Sequence, residues 1–455
     1  FIADIWYLKN SVGHSVRTIE ECISKLNEDS VIYTNLLDNR FIIGDKKLYN
    51  KLLRNITNKN IWSKNKFLFE KKLEQEARYN KFSNTGYLLE PNIKEGPGGF
   101  RDLQTLIWIA KKNFKTNSLF DIYRTDIISK KEYLALLRAQ RFLTKTRFLL
   151  HYIHEKPEER LYFTSQKNLA ELFGFDVKTN NGIEDYMQIF YKHITNVKQL
   201  NEILLKYIED KMTSPIENYD KKIKEDFYIK KNIVCVKSEE VFVKNPTKIF
   251  EIFLLKDEKN NSYEISADTI RYIRENLNLI DNNFRNNPEN KKLFFKIFLQ
   301  ENGVTRSLRK MYDYGVLAAY LKPFSKIVGM MQFDLYHIYT VDEHTLSVLS
   351  NTRYMSTLDC KNNYNFIYQI FKKLISPEIL YLGALFHDIG KGRKKNHSKI
   401  GAFESLKFCE SHGMNKHQSE MVSWLVENHL LMSLTTQKKD ISDEEVIINF
   451  ANIVK

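Results

Sequence analysis

At 455 residues the chain is too long for one ordinary core, and two or three domains are expected. Its 43% hydrophobic and 28% charged residues are those of a globular protein, and no apolar run approaches the ~20 residues that a membrane span requires. The net charge of +14, from 70 Lys and Arg against 56 Asp and Glu, favours anionic partners such as nucleotides without selecting among them. The lysines are spread along the chain, often beside asparagine (Asn58-Lys59-Asn60, Lys361-Asn362-Asn363), which reads as a compositional habit and not as a nucleic-acid groove. Four scattered cysteines, Cys22, Cys235, Cys360 and Cys409, form no CxxC, so neither a zinc knuckle nor a disulfide framework is supported and a reducing cytoplasm fits. The chain opens at Phe1 and closes at Lys455 inside an amphipathic pattern, so it is expected to be the interior of a longer protein.

Residues 1–60 mix apolar runs with polar punctuation. Val12-Gly-His-Ser-Val-Arg17 either faces a nucleotide, with Arg17 as the cation, or caps the helix that follows. Thr18-Ile-Glu-Glu21 is a capping box, so a helix starts there. Ile32–Leu37 and Arg40–Gly44 read equally as strand or as buried helix. From 61 to 215 the pattern is helical: Leu103, Leu106, Ile107 and Ala110 recur at helical spacing, as do Leu134, Leu137, Phe142 and Leu143. Gly96-Pro-Gly-Gly-Phe-Arg-Asp102 precedes the first of these helices. Its N–H groups at Gly98 and Gly99, with Arg101, can hold an anion at a helix start. The motif is neither a Walker A nor a dinucleotide fingerprint, and a tight structural turn is the equal alternative.

The polar, unpatterned stretch 214–222 marks a boundary. Ile233–Val236 and Val241–Val243 then form a possible hairpin, and helices resume with Pro246 at a first turn.

The chemistry concentrates further on. His387-Asp388 ends the apolar run Tyr381-Leu-Gly-Ala-Leu-Phe386, with His344 upstream and His397 and His429 downstream. A helical histidine on an apolar face is usually a hydrogen-bonded core residue, and His344 and His429 taken singly carry that reading. The doublet differs. Aspartate is rarely buried unless it is paired or bound to metal, and Asp388 belongs to a segment that should pack inside. Imidazole with carboxylate suits a divalent cation that acidifies water near neutral pH, which points to hydrolysis of a phosphate ester. His344, His387 and Asp388 are the candidate ligands, and Lys391, His397 and His429 the candidate catalytic groups. Lys391-Gly-Arg-Lys-Lys395 is either a solvated loop or a phosphate clamp in which Lys391 and Arg393 meet the substrate.

His344, His387-Asp388 and Lys391 resemble the HD-domain metal phosphohydrolases, an all-helical fold. That resemblance implies a later aspartate ligand. Asp440 and Asp443 fall in a capping segment, so the last ligand is expected beyond this chain. Taken with Val12–Cys22, Gly96–Leu106, Phe333–Thr345 and His429-Leu-Leu-Met-Ser433 in this order, the whole chain resembles the bifunctional PII uridylyltransferase/uridylyl-removing enzymes of bacterial nitrogen control. The resemblance implies a mainly α chain in four parts. Residues 1–60 would be the end of an α/β nucleotidyltransferase domain, and 61–215 a helical associated domain. Residues 216–330 would be a linker region, and 331–455 a truncated HD domain. It also implies a Mg²⁺ or Mn²⁺ cofactor, UTP and UMP, PII as partner, and glutamine as an effector acting through domains absent here. Neither a nucleic-acid nor a membrane partner is implied. The family's Asp-x-Asp motif would precede Phe1. Where the family reads Leu-Trp-Asp, this chain reads Ile5-Trp6-Tyr7, which removes a carboxylate from the transferase half. The rival readings are an alarmone synthetase/hydrolase-type HD phosphohydrolase, which would lack the Gly-Pro-Gly-Gly loop, and a non-catalytic PII-binding regulator.

Overall fold

In the computed structural model, residues 7, 13–56, 61–82, 86–213, 221–230, 232–256, 262–333, 339–393 and 396–454 are described. Helices dominate them. The principal ones are α1 (Ile19–Glu28), α2 (Ser30–Leu37), α3 (Lys46–Ile56), α4 (Lys64–Asn80), α5 (Phe100–Phe114), α6 (Lys130–His154) and α7 (Asn180–Thr213). They continue with α8 (Ala267–Glu275), α9 (Pro288–Phe298), α10 (Val304–Asp313), α11 (Val341–Tyr354), α12 (Glu378–Phe386), α13 (His397–Ser411) and α14 (Lys416–Glu427). Shorter helices join them. The expected mainly α character holds. In the described part of 1–60 there is no strand, so the α/β segment expected there contributes helices alone.

The local reasons are in the sequence. Thr18 and Glu21 close the anticipated capping box on α1, and Ser129 and Glu132 make a second on α6. Asp29 caps α2 by accepting from the Val31 N–H. Ile32–Leu37 is therefore helix, whereas Arg40–Gly44 is a loop with Ile42 and Ile43 exposed. Ile183, Met187, Phe190, Ile194, Val197, Leu200 and Leu204 recur every three or four residues and bury one stripe of α7. With 34 residues this helix runs about 50 Å and packs against α4, α5, α6 and α8. On α6 the buried stripe is Leu136, Ala139, Leu143, Thr146 and Leu150. The stripe anticipated at Leu134, Leu137, Phe142 and Leu143 was displaced: only Leu143 is buried, and Leu134 is exposed.

The expected hairpin is real but paired differently. Strands β1 (Lys221–Lys222), β2 (Tyr228–Lys230), β3 (Ile233–Cys235) and β4 (Glu264–Ile265) make one small sheet in that order. β2 and β3 are antiparallel with Lys230 opposite Ile233, and Asn232 takes the positive φ of 63° that such a turn needs. β4 joins β3 in parallel. Val241–Val243 lies instead in the helix Glu240–Lys244. Pro246 stands before the N-cap Thr247 of the helix Lys248–Glu251, two positions ahead of the first helical residue and so outside the first turn anticipated for it. The boundary stretch 214–220 lies outside the described residues.

One continuous hydrophobic core runs from Leu26 to Val426. The last part is a helical layer in which α12 lies between α11 and α14, with α13 against α14. Ile379, Leu382, Leu385 and Phe386 bury α12 almost all round, as the apolar run before the doublet anticipated.

Candidate metal centre

The buried helix α12 delivers His387 and Asp388 at its carboxyl end, where the chain turns into the short helix Ile389–Arg393. Gly390 is required there by close approach: a Cβ would stand 2.1 Å from the His397 carbonyl oxygen. That contact brings the start of α13 against the doublet. His344 comes from the first turn of α11, and His429 from just beyond the end of α14. Four segments thus converge on one carboxylate.

Asp388 Oδ2 lies 3.3 Å from His387 Nε2 and 3.9 Å from His344 Nε2, and Oδ1 lies 3.8 Å from His429 Nε2. Two sets have all their ligand atoms within 4.8 Å of one another: His344, His387 and Asp388, and Asp388, His397 and His429. Asp388 is common to both. His387 Nδ1 bonds the Ala384 carbonyl at 2.8 Å and His429 Nδ1 the Val426 carbonyl at 2.7 Å. In each the carbonyl fixes Nδ1 as donor and leaves the Nε2 lone pair for a cation. His397 Nε2 is buried with no hydrogen-bond partner among the described residues. An orphaned imidazole nitrogen beside a shared carboxylate fits a bound metal better than it fits a closed core.

The electrostatics agree. Burial pushes the Asp388 carboxyl up, but the hydrogen bond and charge of His387, together with Lys391, outweigh it and hold the group well below the carboxylate range. Burial lowers His397, with Asp388 partly opposing, and lowers His429, with the bond to Val426 partly opposing. Both shifts favour the neutral imidazole, the form that binds metal or accepts a proton.

Lys391 reaches Asp388 Oδ2 at 2.8 Å, so a cation already faces the carboxylate from the protein itself. Arg393 differs from the expectation of a free clamp: it pairs with Glu404 on α13. Asp440 and Asp443 cap the backbone of Ser442 and Glu445 and stand apart from the cluster.

The glycine loop resolves toward the structural turn. Gly98 N–H donates to Asp102 Oδ2 at 2.6 Å, Gly99 N–H to Gly96, Phe100 N–H to Ile93 and Arg101 N–H to Lys94. The four N–H groups that would cradle an anion are all engaged within the loop. Gly98 has φ +81°, and a Cβ there would meet the Ile194 carbonyl oxygen at 2.0 Å. Arg101 pairs with Glu95 at 2.9 Å. Arg17 is exposed in the segment leading into α1, remote in sequence from these groups, and Tyr7 is exposed.

Sequence reasoning missed the groups that hold His344. Asp342 and Glu343 stand in the first turn of α11, where the helix dipole favours acidic residues. The structure ties each to α10.

A buried helix ending in His-Asp, with further histidines converging from neighbouring helices, defines an HD domain, the class of metal-dependent phosphohydrolases. Comparison with known sequences agrees. Residues 341–455 match the HD domain model, 66–205 the GlnD PII-uridylyltransferase model and 227–320 the uridylyltransferase GlnD third-domain model. The bifunctional uridylyltransferase/uridylyl-removing enzyme of Hydrogenovibrio crunogenus is 40% identical across 100% of this chain and 52% of its own length. Those of Pseudomonas fluorescens SBW25 (38%) and Nitrosococcus oceani (40%) are matched over 100% of this chain and 51% of their own. Residues 66–205 and 227–320 thus carry GlnD uridylyltransferase domains and 341–455 an HD domain, and the chain, similar to these curated relatives from end to end, spans about half their length.

Proposed function

We propose that this chain is part of a bifunctional enzyme that places UMP from UTP on a tyrosine of PII and takes it off again, the HD part performing the removal. The observation that carries the reading is the convergence of His344, His387, Asp388, His397 and His429 on one site, in a chain aligned end to end with relatives named for both activities. Residues 1–60, 61–215, 216–330 and 331–455 are the corresponding units, working in the cytoplasm in response to nitrogen status. Glutamine would act through domains outside this chain.

His344, His387 and Asp388 would hold Mg²⁺ or Mn²⁺. Such an ion supplies Lewis acidity at the phosphoryl group and acidifies water at neutral pH. The protein's own groups do the rest. In the hydrolysis a water oxygen bonds to phosphorus, the phosphorus–tyrosyl oxygen bond breaks, and the water proton ends on the departing phenol oxygen. Neutral His397 or His429 accepts that proton from water and returns it. Lys391, beside Asp388, offsets negative charge growing on the phosphoryl oxygens. A second reading of His397 and His429, as ligands of a second cation sharing Asp388, is favoured by the second ligand set.

The test is made in the protein that carries this sequence. His387→Ala or Asp388→Asn should abolish release of UMP from uridylyl-PII while transfer from UTP persists. Survival of removal in either variant overturns the assignment.

A further inference from the structure

His387 and Asp388 arrive together on one buried helix, but His344 stands on another and is the most exposed of the three ligands. Its placement therefore depends on what fixes α11. Metal–ligand distances tolerate only about 0.2 Å, so a small rotation of α11 would take His344 out of reach.

Both residues ahead of His344 are anchored to one helix outside the HD region. Asp342 is fully buried, and its Oδ2 accepts from Tyr312 Oη at 2.8 Å and from the Gly329 N–H at 2.9 Å. Glu343 takes a two-pronged pair from Arg309, with Nη1–Oε2 2.7 Å and Nη2–Oε1 3.0 Å. Arg309 and Tyr312 lie one turn apart on α10. The Tyr312 hydroxyl is also 3.0 Å from that of Tyr87, which Thr195 on α7 approaches at 3.3 Å. The backbone repeats the arrangement. Thr340 provides no side-chain cap for α11. Its N–H instead donates to the Tyr87 carbonyl at 3.2 Å, and that of Val341 to the Met330 carbonyl at 2.7 Å.

From this we infer that Arg309 and Tyr312 are positioning residues for the metal site: α10, outside the HD region, sets where His344 stands and so tunes the affinity for the cation. The inference rests on the reading that His344, His387 and Asp388 bind a divalent ion. Residues 227–320 then act as part of the hydrolytic site, and Tyr87 and Thr195 extend the support into the helical region beside the glycine loop.

The experiment is Mn²⁺ titration of the purified protein by calorimetry, with folding checked by circular dichroism. Tyr312→Phe and Arg309→Gln should weaken Mn²⁺ binding roughly 10- to 100-fold, the range for loss of a group that orients a ligand. Arg309→Lys, which keeps the charge but loses the fork, should fall between these and the parent. Arg271→Gln is the control. It breaks a similar two-pronged pair with Glu132 (3.1 and 2.8 Å) away from α11 and should leave Mn²⁺ affinity unchanged. The charge exchange Arg309→Glu with Glu343→Arg should recover part of the loss. Parent-like affinity in both Tyr312→Phe and Arg309→Gln overturns the inference, as does an equal loss in Arg271→Gln. A His387→Ala protein that binds Mn²⁺ as tightly as the parent overturns the metal reading itself, whatever the α10 variants do.

Discussion

Lys391 lies 2.8 Å from Asp388, where its ammonium relieves the desolvated carboxylate. On the proposed mechanism the same ammonium would repel a bound cation and meet the phosphoryl group. Lys391→Met should therefore leave Mn²⁺ affinity unchanged or tighter, because a like charge has gone. It should lower the turnover of uridylyl-PII hydrolysis roughly 100-fold, because a charge-stabilising group has gone with it. Calorimetry and single-turnover rates separate the two effects, and undiminished turnover would remove Lys391 from the mechanism. Asp102 is the instructive contrast. It is equally buried, and it is satisfied by Arg78 and Tyr79 at 2.5 Å each and by the Gly98 N–H. It needs no ligand, and its loop is accordingly a structural joint. A carboxylate beside a conspicuous glycine motif thus has its partners within the protein. The site carboxylate, Asp388, is ringed by imidazole nitrogens.

At the scale of elements, α13 is pinned at both ends. Its start lies over Gly390, and its end is closed by His412, whose ring stacks on Phe408 with centroids 3.7 Å apart. His412 Nε2 lies 2.7 Å from Tyr320 Oη, and Nδ1 lies 2.7 Å from the Phe408 carbonyl. Burial pushes this imidazole from 6.5 down to about 4, with the Phe408 bond partly opposing. The unfolded chain then binds the proton more tightly than the folded one. The contribution is complete above pH 6.5 and is lost as pH falls toward about 4, and it amounts to at most roughly 3 kcal/mol. Urea unfolding at pH 7 and at pH 4.5 should differ by less in His412→Phe than in the parent. An unchanged difference would show that other groups set the acid sensitivity.

Over the whole molecule, the single core and the α10–α11 clamp join regions that match three separate family models. A ligand that binds only the folded form at about 100 times its Kd adds about 2.7 kcal/mol of stability. Saturating Mn²⁺ should do so here. It should slow amide exchange in α10 and around Tyr87 as well as in α11 and α12, and chelation should reverse both effects. Protection confined to residues 341–429 would mean that the regions are not coupled.

Much of this was legible in the sequence because it is local. The capping box on α1, the stripe on α5, the buried run before His387-Asp388 and the doublet itself depend on neighbours a few residues apart, where side-chain chemistry and helical period suffice. The order of motifs likewise carried the family. Other features depended on distance in space. The stripe on α6 fell on other residues because the surrounding helices, and not the local period alone, decide which face is covered. Val241–Val243 lies in a helix, and the strand that pairs with β3 is β2. The N–H groups of the glycine loop closed on Asp102 and on carbonyls near it instead of on a phosphate, and Arg393 was taken by Glu404. The order of histidines pointed to candidate metal ligands, but only the tertiary structure brought four segments onto Asp388 and set α10 behind His344, because hydrogen bonds between residues 30 or more positions apart leave no period in the chain.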